Sequence, residues 1–173
     1  LFHISTLGFR GEALASIAAV STTTLTTRRA QDLSGTQIVM RAGTLLDTRA
    51  VGTAAGTRIE VADLFGNTPA RRKFLKSPAT EVGHVSDCIA RTALMWPQVH
   101  FGLRHGPRTL LDCPAVADAG ERVGQVLGHD RAASMLPFQG RSAIGRVRGW
   151  LSHSHMSFPS NRQIYTYVNN RPV

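Results

Sequence analysis

A glycine-rich turn near the start of the chain has the residue types best suited to bind an anion. Gly8 and Gly11 flank Phe9 and Arg10, and the apolar segment Glu12–Val20 follows directly. Apolar residues recur in that segment at helical spacing, which predicts a helix with one buried face. Free backbone N–H groups at a helix start attract phosphate, glycine allows a close approach, and an arginine adds a charge-assisted hydrogen bond. The alternative is an ordinary loop-to-helix turn with a solvated arginine.

Several other catalytic motifs are excluded by the sequence. A Walker A loop needs a lysine that follows glycine and precedes serine or threonine, and neither Lys73 nor Lys76 has those neighbours. The patterns GxGxxG and GxSxG are absent, which argues against a dinucleotide-binding fold and an α/β-hydrolase. His153 and His155 lack a third ligand nearby, so an exposed loop explains them better than a metal site does.

The charge distribution indicates a polyanionic partner. Lys and Arg number 20 against 11 Asp and Glu, which gives a net charge of +9, and only Lys73 and Lys76 are lysines. The planar guanidinium of arginine suits phosphate particularly well. No acidic residue follows Asp130, whereas arginines continue to the end of the chain. Nucleic acid is therefore the expected partner.

The composition and the cysteines bound the class of protein. A hydrophobic content of 42% argues against wholesale disorder, and no apolar run approaches the roughly 18–20 residues needed to span a membrane. Cys88 and Cys113 form no CxxC pair, which excludes a disulfide scaffold and makes a reducing, cytosolic compartment the expectation. Cys88 falls beside the apolar stripe of a predicted helix and is expected to be buried. Because the chain begins with Leu1 and stops after a predicted strand, we expect a piece of a longer protein.

The spacing of apolar residues, prolines and glycines predicts a mixture of helices and antiparallel strands. The predicted strands are Ser21–Thr27, Thr36–Arg41, Thr57–Asp63, Val99–Arg104, Thr109–Cys113, Ile144–Leu151 and Arg162–Val168. Later helices are predicted to begin at Pro69, after a capping polar side chain, at Pro78, and at Glu121. The segment Pro114–Gly120 is the expected linker.

Three segments resemble motifs of the MutL family of DNA mismatch repair ATPases. Thr6–Ile17 is similar to the third ATP-site motif of that family, and Gly56–Lys76 resembles the fourth motif with its following helix. Tyr165–Val173 resembles a later strand end, with Asn170 where the family usually has glycine. The order and spacing match the family, and the segment Asn67–Lys76 argues against another ATPase of the gyrase B, Hsp90 and histidine kinase superfamily.

The resemblance implies a fold class and a nucleotide site. The fold is expected to be α+β: the second half of a two-layer α/β sandwich ATPase domain over residues 1–118, then the start of a ribosomal S5-like subdomain over residues 119–173. The residues expected to bind ATP are Gly8, Phe9, Arg10, Gly11, Glu12, Ala13, Leu14 and Thr57. Thr57 would lie at the base of the pocket near the adenine; the alternative is a β-branched residue that opens a strand.

The same resemblance implies that the catalytic groups lie outside the chain. The general-base Glu and the Mg²⁺-binding Asn of the family would precede Leu1, and the Lys that reaches the γ-phosphate would follow Val173. Glu12 is therefore not assigned as the base. The full-length protein is expected to hydrolyse ATP with Mg²⁺, and this chain alone is expected to be inactive.

DNA binding is also implied by the resemblance. Lys73 and Lys76, within the basic cluster Arg71–Lys76, are expected to contact DNA, together with Arg146, Arg148 and Arg162. The alternative for the basic cluster is a solvated helix face. Trp150 could stack on a base, but a packed tryptophan is the preferred interpretation.

The expected function is an ATP-gated DNA clamp that couples mismatch recognition to strand incision. Its partners would be DNA, a mismatch-recognition protein, a downstream nuclease or helicase, and a second copy through the ATPase domain. No membrane is involved, and the expected location is the bacterial cytoplasm at the nucleoid. The alternative is a non-hydrolysing DNA-binding or scaffold module of the same fold.

Overall fold

The protein is an α+β structure with antiparallel sheets. Our computed structural model describes residues 11–154, 156–157 and 164–173. Contacts between Cα atoms group the chain into two compact units, one ending at Lys76 and the other beginning at Ser77.

The first unit is built on a four-stranded antiparallel sheet in the order β3-β2-β1-β4. Its elements are α1 (Ala13–Ala19), β1 (Thr22–Arg28), β2 (Gly35–Arg41), β3 (Thr44–Val51), β4 (Gly56–Ala62) and α2 (Pro69–Arg72). The predicted first helix, the three predicted strands and the helix start at Pro69 are confirmed. Strand β3 is an addition, and its register against β2 shifts between Val39 and Met40.

This sheet has one apolar face and one polar face, because directly opposed residues of antiparallel strands point to the same side. On the apolar face, Leu25 of β1 lies opposite both Ile38 and Ile59. On the polar face, Arg49 donates two hydrogen bonds to Gln37 Oε1, at 3.0 and 2.7 Å, and Gln37 Nε2 lies 3.2 Å from Thr26 Oγ1. Because successive side chains of a strand point to opposite faces, apolar side chains collect on one face of this sheet and hydrogen-bonded polar side chains on the other.

The C-terminal end of α1 is bonded to two loops of its own unit. Three carbonyls accept hydrogen bonds there: Ala18 from the Gly43 N–H at 2.9 Å, Ala19 from Asn67 Nδ2 at 2.9 Å, and Val20 from the Phe65 N–H at 2.7 Å. Carbonyls at a helix end have no partner within the helix, so these loops satisfy them.

The loop after β4 that supplies two of these donors is strained. Asp63 and Phe65 have positive φ angles of 48° and 62°. A left-handed backbone costs a residue other than glycine about 1–2 kcal/mol. The bonds from Phe65 and Asn67 to α1 help to hold this conformation.

Within its described residues, the second unit contains two longer helices, a short helix and three antiparallel hairpins. Its elements are α3 (Pro78–Met95), β5 (Phe101–His105), β6 (Arg108–Cys113), α4 (Ala119–Leu127), α5 (His129–Ala133), β7 (Met135–Ser142), β8 (Gly145–Ser152), β9 (Tyr167–Val168) and β10 (Arg171–Pro172). The predicted hairpin, the helices from Pro78 and near Glu121, and the strand at Ile144–Leu151 are confirmed. Strand β7 and helix α5 are additions. Of the last predicted strand, residues 162–163 lie outside the described residues, residues 164–166 are not in a strand, and only Tyr167–Val168 is confirmed as β9.

A buried arginine joins the helices of this unit to its first hairpin. Arg122 of α4 is 0% exposed, and its Nη2 donates to the carbonyls of Pro97 at 2.6 Å, Val99 at 2.8 Å and Pro114 at 2.9 Å. Its Nη1 lies 3.4 Å from the Ala93 carbonyl at the end of α3. Carbonyl oxygens thus replace a carboxylate as the partners of a buried charge.

The segment before α4 is tied into this joint. The Val116 N–H donates to the Pro97 carbonyl at 2.8 Å, and the carboxylate of Asp118, the N-cap of α4, accepts from the Glu121 N–H at 2.9 Å. The predicted boundary between residues 118 and 119 stays a prediction.

The two cysteines have different environments, and the expectation that Cys88 is buried is wrong. Cys88 is exposed, whereas Cys113 at the end of β6 is buried. Cys88 lies one residue, about 100° around the helix, from Ile89, and the buried side of α3 passes through Ile89 and Ala93.

The turn between β9 and β10 explains the asparagine that departs from the family motif. Asn169 and Asn170 have φ angles of 49° and 60°. Asparagine tolerates the left-handed region better than most residues. Asn170 therefore preserves the turn that a glycine would make.

Candidate functional site

The segment expected to bind phosphate is described from Gly11 onward; Gly8, Phe9 and Arg10 lie outside the described residues. Gly11 has a φ of +66°, and a Cβ placed on it would meet no atom of the described residues within 4 Å beyond its chain neighbours. Both the backbone conformation and the open space therefore suit glycine.

The next three residues of this segment form the start of α1. Glu12 is the N-cap and makes no capping hydrogen bond with its side chain, and Ala13 and Leu14 form the first turn. All three are exposed. Because the other end of α1 is held by the Gly43, Phe65 and Asn67 bonds, the helix is fixed to the sheet from its C-terminal side.

Thr57 is the second residue of β4 and lies on the apolar face of the sheet. It lies directly opposite Thr27 of β1, and the two hydroxyl oxygens are 2.8 Å apart. Thr27 was missed by the sequence analysis because only the strand register brings it to Thr57. Among the described residues, no hydrogen bond joins Thr57 to α1; both belong to the first unit.

The basic cluster Arg71–Lys76 is exposed along its whole length. Helix α2 covers only Pro69–Arg72, and Lys73 is its C-cap. Arg72 Nη1 lies 3.7 Å from Asp63 Oδ1, and Phe74 is 80% exposed. The cluster thus presents cations and an aromatic ring to solvent together.

The capping predicted at the start of α2 is wrong in its details. Pro69 occupies the first turn as expected, but Thr68 makes no capping hydrogen bond and its hydroxyl is buried without a partner among the described residues. Asn67 uses its side chain to bond the end of α1 instead.

The second basic group lies on the β7–β8 hairpin. Arg146 and Arg148 share one face of β8, as the alternation predicted, and β7 adds Arg141 opposite Arg146 and Gln139 opposite Arg148. Arg141 was missed as part of this group because β7 was not predicted. Arg162 lies outside the described residues.

Trp150 is half-buried on the same face as these arginines. Its Cζ2 atom is 3.8 Å from the position that a Cβ on Gly120 would occupy. The contact with the start of α4 supports the packed interpretation of this tryptophan.

The tyrosine of β9, Tyr167, has a raised pKa. Burial raises the pKa of Tyr167 to about 12, and the positive charge of Arg91 partly opposes this rise. The Tyr167 hydroxyl donates to the Arg91 carbonyl at 2.9 Å, and the Arg91 guanidinium lies 4.9 Å from the Tyr165 ring centroid. These contacts hold the segment around β9 on α3.

The described residues contain no group of three or more His, Cys, Asp or Glu side chains that could hold a metal ion. None of the helices in the described ranges is both long and apolar enough to cross a membrane.

Comparison with known proteins decides the family. No family model matches the chain. The DNA mismatch repair protein MutL of Syntrophobacter fumaroxidans is 43% identical over 170 residues, which cover 98% of this chain. The chain belongs to the MutL family. The MutL protein of Anaeromyxobacter sp. (strain K) is 42% identical over all 173 residues. The chain spans about a quarter of the length of these MutL relatives, 25% and 28% respectively.

Solved structures agree with this family. The Aquifex aeolicus MutL ATPase domain complexed with ADP matches with a TM-score of 0.80 at 34% identity, over 94% of this chain and 62% of that one. The N-terminal domain of a DNA repair protein matches with a TM-score of 0.80 at 20% identity, which supports the fold alone. The predicted α+β class and the MutL resemblance are confirmed.

Proposed function

We propose that the full-length MutL-family protein containing this chain binds and hydrolyses ATP and acts as an ATP-gated DNA clamp in mismatch repair. The observation that carries this proposal is the identity of about 40% to MutL proteins across the whole chain, on the fold of an ADP-bound MutL ATPase domain. The alternative is a module of the same fold that binds DNA without hydrolysis.

The proposed nucleotide site uses Gly8–Leu14 and Thr57. Gly11 supports it, because its left-handed backbone and open surroundings leave room for an oxygen of a phosphate against the main chain. The first turn of α1 would supply N–H donors, and Arg10 would add charge. Thr57 would place a hydroxyl, already paired with that of Thr27, on the sheet face that also carries Leu25 and Ile59.

Bound ATP and Mg²⁺ would supply the phosphoryl chemistry, and the residues of this chain would bind and orient the nucleotide. The general base and the Mg²⁺ ligand are assigned to the part of the protein before Leu1. Glu12, an exposed residue at the helix cap, is left without a catalytic role.

The proposed DNA contacts are Lys73, Lys76, Arg146, Arg148 and Arg162. Exposure of the basic cluster Arg71–Lys76 and of Arg146 and Arg148 supports contact with phosphates. A homodimer through the ATPase domain would enclose the DNA. A mismatch-recognition protein and a downstream nuclease or helicase would be its partners, in the cytoplasm at the nucleoid. Residues 1–118 and 119–173 would belong to the ATPase domain and an S5-like subdomain.

ATP turnover by the full-length protein tests the enzymatic part. We expect Mg²⁺-dependent phosphate release from the full-length protein and none above background from residues 1–173 alone, because a water-activating carboxylate must reach the attacking water. If the isolated chain hydrolyses ATP and Arg10→Ala abolishes this activity, the assignment of the general base to a position outside residues 1–173 is wrong. Full-length protein that binds ATP without turnover supports the non-hydrolysing alternative.

Nucleotide binding is tested by Gly11→Val in the full-length protein, measured by equilibrium dialysis. A side chain there would crowd the phosphates and abolish binding. The matched control is Gly106→Val in the β5–β6 turn, where φ is +57° and the surroundings are equally open. Both variants carry similar backbone strain, so only a nucleotide contact separates them. Wild-type affinity in Gly11→Val contradicts the phosphate-loop assignment.

A further inference from the structure

The β7–β8 hairpin places two arginines directly opposite each other. Arg141 of β7 and Arg146 of β8 are cross-strand partners, and Gln139 is the partner of Arg148. The Cα atoms of opposed residues in an antiparallel pair are about 4.5–5.5 Å apart, and residues two apart on a strand are about 6.6–6.8 Å apart. Three guanidinium groups therefore share one small surface, which we call the arginine face.

No acidic side chain of the described residues pairs with the arginine face. All three arginines are exposed, and none has a hydrogen bond or ion pair with another described residue. The sequence contains no Asp or Glu after Asp130. Like charges directly opposite each other destabilise an antiparallel pair. The free hairpin is therefore less stable than one with a neutral pair at these positions.

A bound anion would neutralise the repulsion between the opposed arginines, Arg141 and Arg146. We propose that the arginine face, formed by Gln139, Arg141, Arg146 and Arg148, binds consecutive phosphates of duplex DNA. The inference rests on the proposed DNA clamp and adds Gln139 and Arg141 to it. Guanidinium groups donate two parallel hydrogen bonds to phosphate, and the Gln139 amide is a further donor.

The surroundings of the arginine face favour duplex over single-stranded DNA. Single strands are bound chiefly by stacking bases on exposed aromatic rings. The one aromatic residue on this face, Trp150, is half-buried beside Gly120. The opposite face holds Phe138, whose ring lies against Gly149, 2.8 Å from the position that a Cβ there would occupy. The arginines are therefore expected to contact the phosphate backbone of the DNA, and this kind of contact suits a duplex.

The hairpin end is open to a bulky partner. Ile144 in the turn is 99% exposed, and its N–H donates to Ser142 Oγ at 3.3 Å. A DNA backbone can therefore reach Arg141 and Arg146, the arginines next to the turn.

The test compares the variant Arg141→Gln/Arg146→Gln with wild type in the full-length protein, using a labelled duplex oligonucleotide over a range of salt concentrations. We expect weaker binding and a decrease of about 1.8 in the slope of log K against log salt, about 0.9 for each lost contact. The matched control is Arg104→Gln/Arg108→Gln on the β5–β6 hairpin, which removes the same charge from exposed positions and should leave the slope nearly unchanged. A single-stranded oligonucleotide is the second probe.

A stability measurement distinguishes a DNA contact from a structural role. Without DNA and at low salt, Arg141→Gln should raise the melting temperature or leave it unchanged, because it removes the like-charge pair. A lower melting temperature would overturn the proposal, as would an unchanged duplex slope or a loss confined to the single strand. If the wild-type protein shows no salt-dependent DNA binding, the DNA clamp itself fails; if only Lys73 and Lys76 control the slope, the arginine face alone fails.

Discussion

Thr57 Oγ1 of β4 lies 2.8 Å from Thr27 Oγ1 of β1, so the two hydroxyls share a hydrogen bond across the apolar face of the sheet. Either oxygen can be the donor, and the pair is exposed. The orientation of the Thr57 hydroxyl therefore depends on a residue thirty positions away in the sequence.

This pair predicts that Thr27 affects nucleotide binding only through Thr57. Thr57→Val should weaken ATP binding by the full-length protein, because a methyl group replaces the hydroxyl. Thr27→Val should weaken it less, and the double variant should match Thr57→Val. Thr57→Ser, which retains the hydroxyl, is the control. Dialysis or calorimetry measures the four affinities, and additive losses would show that the two threonines act independently.

The basic cluster Arg71–Lys76 predicts a second salt dependence. Lys73→Glu/Lys76→Glu in the full-length protein should weaken binding to all DNA sequences alike and reduce the slope of log K against log salt by roughly 1.8, about 0.9 per contact. Arg104→Glu/Arg108→Glu makes the same change in charge elsewhere and is the control. An idle, solvated surface predicts only a small long-range loss with the slope nearly intact. That result would remove both lysines from the DNA site.

Arg122 predicts a large stability effect. Arg122→Met keeps an apolar stem but leaves the Val99 and Pro114 carbonyls without this donor, whereas the Pro97 carbonyl retains the Val116 N–H. An unsatisfied buried polar group costs about 1–3 kcal/mol, so the loss of the donor to two carbonyls should lower the free energy of unfolding by about 2–6 kcal/mol. Urea denaturation of the full-length protein measures it. Arg104→Met, at an exposed site, should change it by less than about 0.5 kcal/mol. Equal effects would contradict the importance of the buried joint.

Tyr167 predicts a loss of stability at high pH. Its pKa is raised to about 12 in the folded protein from an ordinary value near 10, because burial disfavours the phenolate. The unfolded state therefore loses its proton first, and stability that is present below pH 10 declines between pH 10 and 12. Tyr167→Phe should remove this decline, as followed by unfolding at several pH values. Tyr165→Phe is the control and should retain the decline in stability. If Tyr167→Phe shows the same decline, a group other than Tyr167 causes it.

The elements that sequence alone predicted are those with a local signal. Prolines at Pro69 and Pro78 fit the first turn of a helix, where the missing N–H has no cost. Alternating residues identified β4 and β8. Strand β3 gave no such signal. All but one of its residues are exposed, so no buried face imposes an alternating pattern, and the adjacent Leu45 and Leu46 interrupt the alternation at the register shift. Strand β7 contains Pro137 and Gly140, which are typical of turns, and its pairing with β8 overrides them.

The parts of the candidate site that sequence did not predict depend on distant pairing. Thr27 and Arg141 gain their positions from strand register, and no spacing in the sequence encodes it. From the sequence, an arginine in a helix such as Arg122 is expected to be exposed to solvent. It is buried because the end of α3 and the segments around Pro97 and Pro114 present several carbonyls to one guanidinium.

The end of α1 has a consequence for local unfolding. The Gly43, Phe65 and Asn67 donors come from two separate loops and converge on three successive carbonyls. If the last turn of α1 frays, both loops lose their anchors at once, and the strained loop at Asp63 and Phe65 loses the contacts that hold it. Opening at this corner is therefore cooperative. The loop that leads into the basic cluster Arg71–Lys76 therefore opens together with the C-terminal end of the helix that follows Gly11.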